Sequence, residues 1–409
     1  MALNPNCNFD LLNYVITAYS EKIPRNGEDA ISYSINGKAS YVGVFDGVGG
    51  SGARRYESCY HKTGAYLASR LVAVEVKKWF DDGTNQSAGN TDLYLIPGSE
   101  CEGTAETRLQ NILQSKLRAH SEKLSSSQKI KIKSSFSKEF PTTMAAIVVV
   151  PVSGSVVKNE NGPVNCQCLE DDKPDALKTG FDGNYQNISE SDTIKTANIS
   201  DNLNNEPAGE GNSFSYNTNF YWAGDSRGYI IDKNGLTQIT KDDTNVDDEL
   251  ENISADGVMN NIIFNGKSDK DGNACFTINH RMVSPTAPFI AFSATDGCFG
   301  YIPSPMEFEY YILDCLMNAE SALQFESNLN DLFKHYAEDD FSFTALVYGY
   351  QNFEAMKESF NDRYKIVKDM YEYINDKELE TKDRQDVRKK IWKDSYKQDY
   401  TNYTKYINS

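Results

Sequence analysis

Short runs of apolar residues at 30–36, 40–46, 142–152, 288–295 and 342–350 are each bounded by Gly, Asn, Asp or Ser, the pattern of buried β-strands. The segment 219–240, "NFYWAGDSRGYIIDKNGLTQIT", predicts two or three further strands separated by the turns "GDSRG" and "DKNG". Elsewhere the spacing is helical. Tyr56, Tyr60, Thr63, Leu67, Leu71 and Val74 recur at three- and four-residue steps, predicting a helix that starts at Ser51 as its N-cap. Leu109, Ile112, Leu113 and Leu117 predict a second helix over 104–124, and residues 306–336 read as mostly helix. Residues 81–102, rich in Gly, Asn and Asp, predict a loop between the first two helices. Many strands, paired helices and no βαβ rhythm predict an α+β fold in which helices flank stacked antiparallel sheets.

Two stretches depart from this alternation. Residues 153–214 carry almost no periodic apolar pattern and are heavy in Asn, Asp, Ser and Gly, so they bury too little surface to offset their ordering entropy and predict a flexible insertion. Beyond residue 352, Phe353, Met356, Phe360, Tyr364, Val367, Tyr371 and Ile374 keep helical spacing, and Val387, Ile391, Tyr396, Tyr400, Tyr403 and Ile407 roughly do so again. The expected organisation is one domain over residues 10–352 followed by a helical extension over 353–409. That extension either packs on the domain or acts on it as a regulatory element.

Charge narrows the function classes. The formal net charge of the 409-residue chain is −18, with 28 Lys/Arg against 47 Asp/Glu before residue 353 and 13 against 12 after it. Such a balance argues against a general affinity for nucleic acid or an anionic membrane. The eight cysteines show no paired metal-ligand spacing, Cys166 and Cys168 being too close for a C-x-x-C arrangement, and read as free thiols of a reducing compartment. The amino terminus lacks a secretion signal, and the longest strongly apolar run, "AAIVVVPV", is less than half the ~20 residues a membrane helix needs. A soluble cytoplasmic protein is expected.

Chemistry concentrates at strand ends. In "YVGVFDGVGG" (41–50) Asp46 is the first polar group after an apolar strand, and Gly47, Gly49 and Gly50 follow, allowing the main chain to approach an ion or phosphate. Taken alone, the stretch reads equally as a strand with a tight turn. The same situation recurs at Glu28 and Asp29 in "NGEDA", at Asp225 in "WAGDSRG", at Asp296 in "FIAFSATDGCFG", and at Asp339 and Asp340 in "EDDFSFTALVYG". Five carboxylate sites, with His61, His120, His280 and His335 all lying elsewhere, suit a hard divalent cation such as Mg²⁺ or Mn²⁺.

The ordered motifs "EDA" (28–30), "FDGVGG" (45–50), "TTMAA" (142–146), "AGDSRGY" (223–229), "SATDG" (293–297) and "DDFS" (339–342) resemble those of the metal-dependent serine/threonine protein phosphatases of type 2C. The resemblance spans about residues 20–350 and implies a four-layer α-β-β-α sandwich with two central antiparallel sheets. It implies that Asp46 bridges two metal ions, that the Gly47 carbonyl completes one coordination sphere, that Asp296 and Asp339 hold the other ion, and that Glu28 and Asp29 hold metal-bound waters. A phosphate-binding arginine is common in the family at the position of Pro24, with Arg25 one step later as its stand-in. Many eukaryotic members carry a histidine at the position of Val48, so here a metal-bound water would act as the acid. Asp225 matches a ligand of a third metal whose usual partner position is Gly300, and it either binds that ion or fixes its own turn.

Three functions compete. The resemblance implies a hydrolase of phosphoserine and phosphothreonine on protein substrates, working through Mg²⁺ or Mn²⁺, two per site, without a covalent phosphoenzyme. A non-catalytic relative would bind or regulate a partner with the same fold, but need not keep Asp46, Gly47, Asp296 and Asp339, and all are present. A Mg²⁺-dependent nuclease would use clustered carboxylates too, yet the acidic charge and the lack of a basic stripe weigh against it.

Overall fold

Along one strand, Met144–Pro151, side chains alternate between two different hydrophobic cores: Met144, Ala146, Val148 and Val150 enter one, Ile147 and Val149 the other. A strand buried on both faces belongs at the centre of a layered structure. The computed structural model describes residues 12–36, 38–86, 104–125, 138–152, 215–245, 258–267 and 274–407. In chain order the first elements are β1 (Leu12–Ser20), β2 (Ala30–Ile35), β3 (Ser40–Phe45), α1 (Gly49–Gly52), β4 (Arg55–Tyr56), β5 (Lys62–Thr63), α2 (Gly64–Gln86) and α3 (Ala105–Ser125). There follow β6 (Met144–Pro151), β7 (Tyr216–Ala223), β8 (Arg227–Asp232), β9 (Gly235–Gln238), β10 (Asn279–Val283), β11 (Phe289–Ala294) and α4 (Asp296–Phe299). The chain continues with α5 (Pro305–Met317), α6 (Ala322–Tyr336), β12 (Phe341–Tyr350), α7 (Phe353–Ile374), α8 (Thr381–Ile391) and α9 (Lys397–Thr401).

One sheet has the order β1-β12-β11-β8-β9, the other β10-β7-β6-β3-β2, and every pairing within them is antiparallel. Between the sheets lie Val42, Ile147, Val149, Phe220, Ile230, Phe289, Ala291 and Leu346. The outer face of the second sheet packs on α2 and α3 through Leu67, Leu71, Val76, Phe80, Leu109, Leu113 and Leu117. The outer face of the first packs on α5 and α6 through Phe308, Ile312, Leu316, Phe325, Leu329 and Phe333. Three cores separate four layers, so the fold is the α+β, α-β-β-α sandwich expected from the sequence.

The segment after β12 is part of this packing. Met356, Phe360, Val367 and Ile374 of α7, with Trp392, Tyr396 and Tyr400 beyond α8, share the core of α5 and α6. Two buried acids at the start of α5 are met by cations from this segment. Arg363 grips Glu309 through two nitrogens at 2.6 and 2.7 Å, and Arg388 grips Glu307 at 2.8 and 2.9 Å.

The helix expected from Ser51 begins only at Gly64. Residues 55–63 form the β4–β5 hairpin instead, because Tyr56 is buried and stacks on Phe140 (centroids 5.1 Å apart), while Tyr60 and His61 adopt left-handed backbone angles that no helix permits. Thr63 caps α2, its hydroxyl accepting from the Tyr66 N–H at 3.1 Å. The expected loop starts later than residue 81, since α2 continues to Gln86. Strands β1 and β10 carried no sequence expectation. The insertion at 153–214 lies outside the described residues, as does most of the 81–102 loop.

Candidate active site

The register of β2 on β3 pairs Ala30 with Phe45, which sets Asp29 beside Asp46 at the end of the second sheet. The Asp46 carbonyl accepts from the Thr143 N–H (2.8 Å) and from Thr142 Oγ1 (2.6 Å), and the Val48 N–H donates to Pro141 (3.2 Å). These bonds flank Gly47 without using its carbonyl. A side chain at Gly47 would come within 2.7 Å of the carbonyl oxygens of Ala65 and Glu28, so only glycine fits the approach. Thr143 Oγ1 lies 2.6 Å from Ser226 Oγ, tying this strand to the β7–β8 turn that carries Asp225.

The first sheet delivers the remaining acids to the same end. Asp296 opens α4 directly after β11, and Gly297 is pressed so closely on the Asp340 carbonyl that a Cβ there would overlap it. Thr295 donates from Oγ1 to Asp29 Oδ2 (2.9 Å) and accepts from the Ser342 N–H (2.9 Å). The Asp340 carboxylate accepts from the Lys22 N–H (2.7 Å) and the Glu28 N–H (2.5 Å), fixing residues 22–28 against the start of β12. Asp339 is exposed, and its Oδ1 accepts from the Asp340 N–H at 2.9 Å.

Four of these carboxyls sense one another. Burial first, then the neighbouring Asp29, Asp296 and Asp225, holds the Asp46 carboxyl well above its ordinary range. Burial and the charges of Asp340 and Asp296 push Asp29 up to about 8, while the Thr295 hydroxyl acts in the opposite sense. Asp225 rises to about 8 through burial and the proximity of Asp296, and Asp296 to about 6 through burial and Asp339. Glu28 is raised by burial and partly relieved by the Thr63 hydroxyl, which donates to its Oε1.

Such a cluster is unfavourable without positive charge, and the donor chemistry fits a hard divalent cation: all oxygen, mostly carboxylate, at the open end of two sheets. The buried Asp225 Oδ1 has no hydrogen-bond partner among the described residues, as expected of an oxygen kept for a cation. As placed, however, the carboxylates are neighbours rather than a closed shell: among the described residues, no three His, Cys, Asp or Glu form a group that could hold an ion as they stand.

The sequence-expected residues therefore divide. Asp46, Asp29, Asp225 and Asp296 come together, and Glu28 and Asp339 border an adjoining cleft of about 190 Å³. That cleft is also lined by Lys22, Arg55, Lys62, Thr63, Tyr66 and Asp340. Arg25 is exposed, its φ is +65°, and its side chain is not part of the cleft lining. Sequence reasoning missed Thr295, Asp242 and the hairpin cations. Asp242 holds the Arg227 guanidinium at 2.8–3.1 Å beside Asp225, but "TKDDTN" has neither an adjacent apolar strand end nor a glycine to mark it.

No family model matches the chain, and a search of curated proteins returns no match. Among solved structures it is similar to a Mycobacterium tuberculosis serine/threonine phosphatase, with 12% identity over 83% of this chain and 99% of that one and a TM-score of 0.44. A serine/threonine phosphatase from Staphylococcus aureus is similar at 13% identity, over 85% of this chain and all (100%) of that one, with a TM-score of 0.45. The catalytic domain of a serine/threonine protein phosphatase in complex with two manganese ions is similar at 14% identity, covering 82% and 98%, with a TM-score of 0.41. Among the described residues, no helix is long and apolar enough to cross a membrane.

Proposed function

We propose that the chain is a metal-dependent phosphatase that hydrolyses phosphoserine and phosphothreonine on proteins. The observation that carries this reading is the convergence of Asp46, Asp29, Asp225 and Asp296, each held above its ordinary protonation range by burial first and then by neighbouring carboxylates, next to a cleft lined by both acids and cations. The ordered motifs of the type 2C family support it. Asp46, the Gly47 carbonyl, Asp296 and Asp339 would hold the ions, with Asp225 as a further ligand. Mg²⁺ or Mn²⁺ bound there would supply hydroxide near neutral pH and neutralise charge on the phosphoryl oxygens.

The chain's own residues supply orientation. Glu28 and Asp29 would hold water by hydrogen bonds, Glu28 fixed by the Thr63 hydroxyl and Asp29 by Thr295. The Asp340 carboxylate keeps Glu28 at the cleft by binding its backbone N–H. Val48 has no proton to give, so the leaving alkoxide takes its proton from water rather than from a side chain at that turn. A phosphopeptide assay of the purified full chain, with Mn²⁺ or Mg²⁺ and with chelator, tests the reading. Phosphate release that requires the ion is expected; no release, or release indifferent to chelation, would overturn it.

A further inference from the structure

In a chain of net charge −18, a concentration of cations beside the acidic cluster calls for a reason. Lys22, Arg55 and Lys62 line the 190 Å³ cleft together with Glu28, Asp339 and Asp340. Neither Arg55 nor Lys62 forms an ion pair among the described residues. Lys62 is half-buried, yet its ammonium is held by neutral oxygens: the Arg25 carbonyl and Asn26 Oδ1 (3.2 Å), with the Tyr66 ring 4.4 Å away. Arg55 donates from Nη1 to the His61 carbonyl (3.0 Å), and its other guanidinium N–H groups bond to nothing among the described residues. Cations kept in place by neutral partners retain their charge for an anion.

The hairpin is also rigidly tied to the acidic side. Tyr56 is locked on Phe140, the His61 N–H donates to the Tyr56 carbonyl (3.0 Å), and the Gly64 N–H to the Arg54 carbonyl (2.8 Å). Thr63, next to Lys62, both caps α2 and donates to Glu28. The cations and the Glu28 carboxylate are thereby positioned by one short element. Arg25, by contrast, contributes its carbonyl to Lys62 while its side chain stays outside the cleft.

We propose that Arg55 and Lys62 of the β4–β5 hairpin, rather than the Arg25 side chain, form the phosphate anchor of this site, gripping the phosphoryl group of a phosphoseryl or phosphothreonyl substrate in the cleft they share with Glu28 and Asp339. The guanidinium matches two phosphoryl oxygens in its plane, and the ammonium adds a point charge. This assignment rests on the phosphatase reading, but a measurement that needs no turnover can test it separately.

The probe is inorganic phosphate, titrated calorimetrically into the full chain in saturating Mn²⁺ and compared across Arg55→Ala, Arg55→Lys, Lys62→Met and Arg25→Gln. Arg55 is exposed and Lys62 half-buried, so all four variants are expected to fold, which circular dichroism checks. Phosphate Kd is expected to rise at least about tenfold in Arg55→Ala and Lys62→Met, less in Arg55→Lys, and under about twofold in Arg25→Gln. Mn²⁺ affinity should be unchanged, and KM for a phosphopeptide should rise more than kcat falls. Parent-like phosphate affinity in both hairpin variants, a tenfold loss in Arg25→Gln alone, or no phosphate binding by the parent would each overturn the assignment. Hairpin-dependent phosphate binding without phosphopeptide turnover would sink the phosphatase reading and leave the anchor standing.

Discussion

Thr295 Oγ1 donates to Asp29 Oδ2 at 2.9 Å, joining an acid at the head of a strand in one sheet to the residue that ends a strand in the other. Both residues are buried. The same hydroxyl accepts from the Ser342 N–H, so one side chain sets the spacing of β11, β12 and the acidic cluster.

Thr295→Val keeps the shape and removes both bonds. Leaving Asp29 and the Ser342 N–H without this partner should cost about 1–3 kcal/mol, read as a lower urea midpoint at unchanged m. Mn²⁺ affinity should fall as well, because Asp29 loses its fixed orientation. A variant as stable as the parent, with parent-like Mn²⁺ affinity, would show that the hydroxyl positions nothing.

The segment after β12 should be required for folding. Arg363→Ala would strand Glu309, which is fully buried and otherwise bonded to the Tyr396 hydroxyl at 2.5 Å, and should cost about 3–5 kcal/mol. A chain ending at Gln351 would expose the outer faces of α5 and α6 and is expected to lose its cooperative unfolding transition, although every proposed ligand precedes the cut. Cooperative melting of that truncated chain near the parent temperature would contradict this.

His120 supplies a pH dependence away from the acids. It is buried on α3 with its ring edge-on to Phe140 (5.1 Å), and burial, aided by Lys123, lowers its pKa to about 4. The unfolded value is about 6.5, so the unfolded chain takes up the proton first as pH falls. Stability from this group is complete above about pH 6.5 and declines toward pH 4, by up to about 3 kcal/mol. Relative to His120→Gln, the parent should therefore lose stability across that window in chemical denaturation; a parallel pH course for the two proteins would exclude the effect.

The sequence carried most of the layered architecture because its central strands are continuous apolar runs, as in "AAIVVVPV". It misread residues 51–63 because Tyr56, Tyr60 and Thr63 mimic a helical step that only tertiary contact resolves: Tyr56 turns in to Phe140 while Tyr60 stays exposed. At the site, acids adjoining apolar strands were legible as Asp46, Asp225 and Asp296. Their helpers Thr295 and Asp242 were not: Thr295 reaches Asp29 only when layer packing brings the two sheets together, and Asp242 reaches Arg227 only when the chain folds back over the 15 positions that separate them. Asp340 was marked as an acid, but not its bonds to the Lys22 and Glu28 N–H groups. The cations of Arg55 and Lys62 look like ordinary surface charge until the hairpin brings them into the cleft that Glu28 also lines.

Asp46→Asn and Asp225→Asn should move activity and metal-free stability in opposite directions. Each amide has nearly the volume of the acid it replaces and removes one charge from a cluster in which burial and neighbouring carboxylates disfavour ionisation. In chelator at pH 8 both variants should therefore melt at higher temperature than the parent. In saturating Mn²⁺ the order reverses. Asp46→Asn should lower kcat/KM by more than the ~10²–10³-fold typical of losing one stabilising donor, because that carboxylate is proposed to serve two ions at once. Asp225→Asn should cost less, as its orphaned Oδ1 would serve a single further ion and Gly300 offers no side-chain ligand beside it. Near-parent turnover by Asp46→Asn would remove the basis of the two-ion assignment. Equal losses in the two variants would place Asp225 among the principal ligands, and a lower metal-free melting temperature in both would show that the cluster carries no repulsion for a cation to relieve.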